Sequence, residues 1–180
     1  MRKISLFIAM SLDGYIAKPN DDLSFLSLVE KEGEDYGYAN FTKNVDTVII
    51  GRKTFDWVAR ELGTAHYDNG ENNIFVITSD KSRKNTDKIT FYTKGIYKLI
   101  EDLKSVEGKD IYCDGGAEVI NELLKHDLID EMIISIVPVL LGGGIRLFKD
   151  GREEQLLELV ETKSFDTGLT QVHYKRKDKN

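Results

Sequence analysis

Ile4, Leu6, Ile8 and Met10 alternate with Lys3, Ser5, Phe7 and Ala9, and both sets are apolar at the centre of the run. A period of two predicts a strand, and apolar residues on both faces predict one covered on each side. Asp13-Gly14 then makes a turn. Residues 47–50, 73–78, 90–92 and 110–113 read as further short buried strands. Between them the spacing turns helical. Residues 23–29 and 35–43 read as helices, the second with Tyr36, Ala39 and Phe41 as buried contacts. Residues 53–62 carry Phe55, Trp57 and Val58. Ile96, Leu99, Ile100 and Leu103 share one face of a helix, as do Val119, Ile120, Leu123 and Leu124 of another. Residues 131–140 are β-rich, and 157–166 and 169–175 flank Thr167-Gly168 as a closing hairpin. Strands alternating with helices predict an α/β fold with a largely parallel sheet, made mixed by the hairpin. Ligands of such sheets sit outside the carboxyl ends of the strands.

No linker or repeat divides the 180 residues, so residues 1–180 are expected to form a single domain. At 20.5 kDa such a chain buries about 70% of its unfolded surface. With 41% hydrophobic and 31% charged residues and two prolines, a disordered or low-complexity chain is excluded. One cysteine, Cys113, excludes a disulfide within the chain and any CxxC zinc site. Cys113 itself reads as a small buried hydrophobe. The three histidines, His66, His126 and His173, are too scattered for a histidine metal motif, so no metal is expected. The apolar start is broken by Ser5, Ser11 and Asp13, and it reads as the first strand of a cytoplasmic protein rather than a leader. No run approaches the ~20 apolar residues of a membrane span. The net charge of −6 argues against a nucleic-acid partner.

Two strand-to-helix junctions carry candidate chemistry. In Gly51-Arg52-Lys53-Thr54, a glycine leaves a buried strand and two cations follow at a helix start. Glycine permits close backbone approach, and the N–H groups of a helix start attract an anion. In Gly115-Gly116-Ala117-Glu118, two glycines again separate strand from helix. Neither junction is G-x-G-x-x-G or a P-loop, and each alone reads equally as a tight turn. A third element is Thr78-Ser79 at a strand end, followed by Lys81, Arg83 and Lys84. Hydroxyls and cations there suit the 2′-phosphate that distinguishes NADP from NAD, and equally a charged surface loop.

The segments FIAMSLDGYIA, EDYGYANF, VDTVIIGRKTF, VITS, IYCDGGAEVINELLKHDLIDE and PVLLGGGIRLF, in this order, resemble the dihydrofolate-reductase-like superfamily. More narrowly, the chain resembles the family of the RibD C-terminal domain, the reductase domain of riboflavin biosynthesis. The resemblance runs from Ile4 to the final hairpin. It implies a three-layer α/β/α fold with a mixed central sheet, NADPH as cofactor, a small heterocyclic substrate and a homodimer. It implies that Gly51, Arg52, Lys53 and Thr54 hold the cofactor phosphates and that Thr78 and Ser79 hold the 2′-phosphate. Gly115, Gly116, Ala117 and Glu118 would lie under the pyrophosphate, and Ala9 and Ile16 would bracket the nicotinamide. Asp35 lies sixteen residues before Gly51, a spacing similar to that of the pterin-pocket acid of dihydrofolate reductases. As the catalytic acid, Asp35 would line the cleft, desolvated and with a raised pKa. As a plain helix-start carboxylate it would face solvent among Glu30, Glu32 and Glu34.

Two departures bear on the substrate. The loop KPNDDLSFL lacks the Pro-Trp and Leu-Pro elements of dihydrofolate reductases, which argues against folate. Tyr15 stands where riboflavin-pathway reductases carry lysine, which argues against their phosphoribosyl-aminopyrimidine. The expectation is therefore an NADPH-dependent reductase of a pteridine- or aminopyrimidine-type compound. The alternative on the same fold is a non-catalytic nucleotide-binding protein.

Overall fold

The computed structural model describes residues 1–63 and 72–177. His66 lies outside them. In chain order the strands are β1 (Ile4–Ser11), β2 (Tyr15–Ala17), β3 (Val45–Gly51), β4 (Asn73–Ile77), β5 (Ile89–Tyr92), β6 (Asp110–Gly115), β7 (Glu131–Val137), β8 (Ile145–Arg146), β9 (Leu157–Ser164) and β10 (Thr170–Arg176). The helices are α1 (Tyr38–Thr42), α2 (Arg52–Leu62), α3 (Ile96–Lys104) and α4 (Ala117–Lys125), with a 3₁₀ turn at Ser24–Val29. Eight strands form one sheet in the order β5-β4-β3-β6-β1-β7-β10-β9. All pairings from β5 to β7 are parallel, and β10 runs antiparallel to both its neighbours. The sheet is mixed and largely parallel, with the hairpin at one edge, as the hydrophobic pattern implies.

Period-two alternation assigns the faces. Ile4, Leu6, Ile49, Ile111 and Cys113 point to one side, under α3 and α4. Those helices bury Ile96, Leu99, Ile100 and Leu103 and Val119, Ile120, Leu123 and Leu124, the positions spaced for one face. Val48, Ile50, Val76 and Tyr112 point to the other side, where they meet Phe41 of α1 and Phe55 and Val58 of α2. Beyond them Phe25 and Val29 pack against Val137 and Leu169. Three layers result.

Two helices differ from the hydrophobic pattern. Residues 23–29 wind as 3₁₀ rather than α. Residues 35–43 give a helix only from Tyr38, because Tyr36 (φ 55°) and Gly37 (φ 87°) are left-handed and cannot continue a right-handed turn. The β-rich run 131–140 leaves the strand after Val137, at Pro138, which has no N–H for a ladder.

Candidate active site

The connection after β1 runs on the α1 face and the one after β6 on the α4 face, while β1 and β6 are neighbours. Adjacent strands whose connections leave on opposite faces open a crevice at their carboxyl ends. The two glycine junctions meet beside it. Ile50 pairs with Gly115, so Gly51 and Gly116 lie side by side. A Cβ at Gly51 would stand 3.1 Å from Val119 Cγ2 and 3.5 Å from the Gly116 nitrogen. A Cβ at Gly116 would stand 2.6 Å from Thr54 Oγ1. Gly115 takes φ 105°, a conformation L side chains rarely adopt. The two turns therefore lie against each other, and both start helices at the carboxyl end of the sheet, α2 on one face and α4 on the other. The first α4 hydrogen bond runs from Ile120 N to Gly116 O, so the amides of Ala117, Glu118 and Val119 precede it and face the turn.

The cations around these turns are organised by a residue that the motifs do not single out. Asp56 accepts from Arg52 Nη1 at 3.0 Å and from Arg83 Nη2 at 2.7 Å. Arg83 also lies over the Phe91 ring, 5.4 Å from its centroid. Asp56 thus joins the cation of the first junction to a cation of the loop after Thr78-Ser79. Its place four residues after Arg52 on a helix is a signal the sequence carries. Thr78 is half-buried and its Oγ1 accepts from Asp80 N at 3.0 Å, while Ser79 and Lys53 are exposed. Glu118 turns its carboxylate outward to Lys149, so only its backbone faces the turn.

On the other side of the crevice, Ala9 is half-buried near the end of β1 and Ile16 is half-buried in β2. The loop 141–144 closes over this corner. Asp13 accepts from Leu141 N at 3.1 Å, Gly142 N at 2.7 Å and Ser11 Oγ at 2.5 Å. These bonds, led by that from Ser11, hold its pKa down at about 2. A Cβ at Gly144 would stand 2.1 Å from the Ala17 carbonyl oxygen, so this glycine seats the loop on β2.

Asp35 does not behave as a desolvated acid. It is exposed, and its two oxygens accept from Gly37 N at 2.9 Å and Ala39 N at 2.8 Å. Those backbone bonds, Ala39 first, lower its pKa, the opposite of the raised value expected for a buried proton donor. The carboxylate caps α1, and the helix-start reading is the correct one.

A different carboxylate occupies the crevice. Tyr112 and Asp114 are two apart on β6, where the ladder to β3 skips Asp114. Tyr112 Oη donates to Asp114 Oδ1 at 2.7 Å and lies 3.2 Å from the Phe7 carbonyl oxygen. Burial, then the Asp114 charge, pushes Tyr112 well above the usual phenol value. Tyr38 packs edge-on against Phe7 and Tyr112 at centroid distances of 5.5 and 6.2 Å. Burial and then Asp114 push its pKa up to about 12. At neutral pH both phenols keep their protons as donors. The period-two spacing of Tyr112 and Asp114 was legible in the sequence, but nothing there marked the pair as facing a cleft.

The RibD C-terminal domain model matches residues 2–171. YwjB of Bacillus subtilis (strain 168) is 39% identical over 175 residues, spanning 97% of this chain and 98% of that protein. YyaP of the same organism is 29% identical over 181 residues, spanning 96% of this chain and 94% of YyaP. A crystal structure from Shewanella sp. PV-4, of a protein provisionally named for riboflavin biosynthesis, superposes with a TM-score of 0.88 at 32% identity over 98% of this chain and 99% of that one. Enterococcus faecalis dihydrofolate reductase, complexed with NADP(H), has the same fold, with a TM-score of 0.64 at 16% identity over 98% of this chain and 97% of that one. Fold, ordered motifs and these likenesses agree: the chain belongs to the RibD C-terminal domain family.

Proposed function

We propose that this chain is an NADPH-dependent reductase that passes a hydride to a small heterocycle of pteridine or aminopyrimidine type. One observation carries this reading: Gly51 and Gly116 bring two helix starts together on neighbouring strands, so closely that a Cβ at Gly116 would stand 2.6 Å from Thr54 Oγ1. Backbone amides at two adjacent helix starts suit a pyrophosphate. The residues present fit the cofactor. The first turns of α2 and α4 take the phosphates, with Arg52 and Lys53 adding charge-assisted bonds. Thr78, Ser79 and Arg83 take the 2′-phosphate. Ala9 and Ile16 bracket the nicotinamide. The NADP(H) complex of the E. faecalis dihydrofolate reductase supports a nicotinamide cofactor on this fold.

When bound, the cofactor supplies the hydride; the chain supplies position. Asp114, held by Tyr112, accepts N–H groups of an electron-poor heterocycle, and Phe7 and Tyr38 give it an apolar and aromatic wall. An ionised, solvent-facing Asp35 donates no proton, so the proton that balances the hydride comes from water. The test follows NADPH oxidation with a panel of pterins and aminopyrimidines. Turnover of at least one, reduced roughly 10²-fold or more in Asp114→Asn, is the expected result. Intact NADPH binding with no turnover on any of them would overturn the reductase half and leave a nucleotide-binding protein.

A further inference from the structure

One row of the sheet runs from Ala9 of β1 through Ser135 of β7 to Gln171 of β10. Ser135 is 3% exposed and Gln171 7%. Burying an amide and a hydroxyl costs free energy unless both are bonded, and two apolar residues would join the strands as well. The pair is explained by what it holds outside the sheet. Gln171 Nε2 donates to Ser135 Oγ at 3.0 Å and to the Tyr36 carbonyl oxygen at 3.1 Å.

Tyr36 is gripped along its whole length. Its φ of 55° is costly for a residue with a Cβ, so its surroundings must fix it. Its hydroxyl donates to the Val29 carbonyl and lies 3.0 Å from Thr167 Oγ1, and its ring packs edge-on against Phe165 at 4.8 Å. This grip sets the chain that follows. Gly37 N and Ala39 N donate to the Asp35 carboxylate, Tyr38 N donates to the Asp35 carbonyl at 3.0 Å, and Phe41 N donates to the Gly37 carbonyl at 3.0 Å. Tyr38, two residues beyond Tyr36, meets Phe7 and Tyr112 edge-on and is still 42% exposed. An aromatic ring fixed on one side and open on the other is a wall for a planar ligand.

We infer that Gln171 is a positioning residue of the substrate site: through the Tyr36 carbonyl it fixes where the Tyr38 ring stands against Phe7 and Tyr112. The substrate half of this inference rests on the reductase reading; the positioning half does not. The test compares Gln171→Leu with Val172→Ala, whose side chain packs in the opposite layer of the same strand. Circular dichroism confirms the fold of each, and Gln171→Met, of similar volume, replaces Gln171→Leu if that variant does not fold. Two readouts are taken: hydrogen exchange of residues 37–41, and KM and kcat for whichever pterin or aminopyrimidine the wild type reduces. The wild type should be protected at 37–41. Gln171→Leu should exchange there about tenfold faster and raise KM about tenfold, with kcat at saturation within about twofold and NADPH affinity unchanged. Val172→Ala should lower stability yet leave KM and the exchange at 37–41 within about twofold of wild type.

A wild type without protection at 37–41, or exchange there that Gln171→Leu leaves unchanged, would overturn the positioning. Faster exchange with an unchanged KM would overturn the substrate role, and so would an equal rise of KM in Val172→Ala. If no compound is reduced, the reductase reading fails and takes the substrate half with it, while the exchange still decides the positioning half.

Discussion

The two ends of the central strands are built from the same sheet to opposite purposes. At the amino ends, polar groups are locked to one another. Arg2, 7% exposed, donates to the Lys109 carbonyl at 2.7 Å, to Thr47 Oγ1 at 2.7 Å and to Asp46. Asp130 accepts from Ile4 N at 2.9 Å and from Arg176 at 3.1 Å. At the carboxyl ends, two glycine turns lie against each other, Arg52 and Arg83 sit part-exposed around Asp56, and a carboxylate with two protonated phenols lines a crevice. An end whose donors are spent on its own backbone holds strands in register. An end whose amides and cations converge on open space is arranged for a ligand. The difference separates residues that set stability from residues that set binding, and substitutions at each end can break that separation.

The largest effect on stability is expected at the closed end. Arg2→Met keeps the packing volume but takes the guanidinium away from the Lys109 carbonyl, Thr47 and Asp46, and it should cost about 2–4 kcal/mol. At 180 residues that is a fall in Tm on the order of 10 °C. Thermal unfolding measures it, and NADPH affinity of the folded fraction should be unchanged. At the open end, Arg52→Ala should weaken NADPH by about 1.5–3 kcal/mol with little change in Tm. Arg83 remains on Asp56, so the remaining cations keep their place. Titration of NADPH checks it, and an unchanged affinity would remove Arg52 from the site.

The smallest effect is expected at Asp35. Asp35→Ala removes two capping bonds from an exposed helix start, so Tm should fall slightly while turnover stays within about twofold. The pH dependence has a definite sign. The folded-state pKa of Asp35 is lowered, so its stabilisation is present above the ordinary carboxylate value and is lost as pH falls through the lowered one. The stability gap between wild type and Asp35→Ala should therefore be full at neutral pH and close in acid. A hundredfold loss of turnover in Asp35→Ala would return the proton-donor role to this residue.

The sheet and its helices were legible because their signals are local. Alternation in 4–10 and the paired apolar positions of 96–103 and 119–124 state both element and face. The glycine junctions were legible as separate turns, but their meeting was not. It depends on β6 returning between β3 and β1, a pairing across some sixty residues that no window of sequence contains. Asp35 misled because a spacing before a glycine-arginine pair says nothing about exposure. The left-handed residues Tyr36 and Gly37 turn the chain so that the carboxylate serves the backbone. Asp56 and Asp114 were passed over for the converse reason, since their roles come from neighbours on other strands and loops.

The most direct test of the carboxyl-end crevice as an NADPH site is a parallel titration of wild type and Gly116→Ala with NADPH and NADH. The side chain added at Gly116 would meet Thr54 Oγ1 at 2.6 Å, so the turn and the start of α2 would have to move apart. Wild type should bind NADPH saturably and more tightly than NADH. Gly116→Ala, with its circular dichroism spectrum retained, should lose at least a hundredfold in NADPH affinity. Equal affinity of wild type for the two nucleotides would contradict the 2′-phosphate assignment, and a folded Gly116→Ala that binds NADPH as wild type does would contradict the site itself.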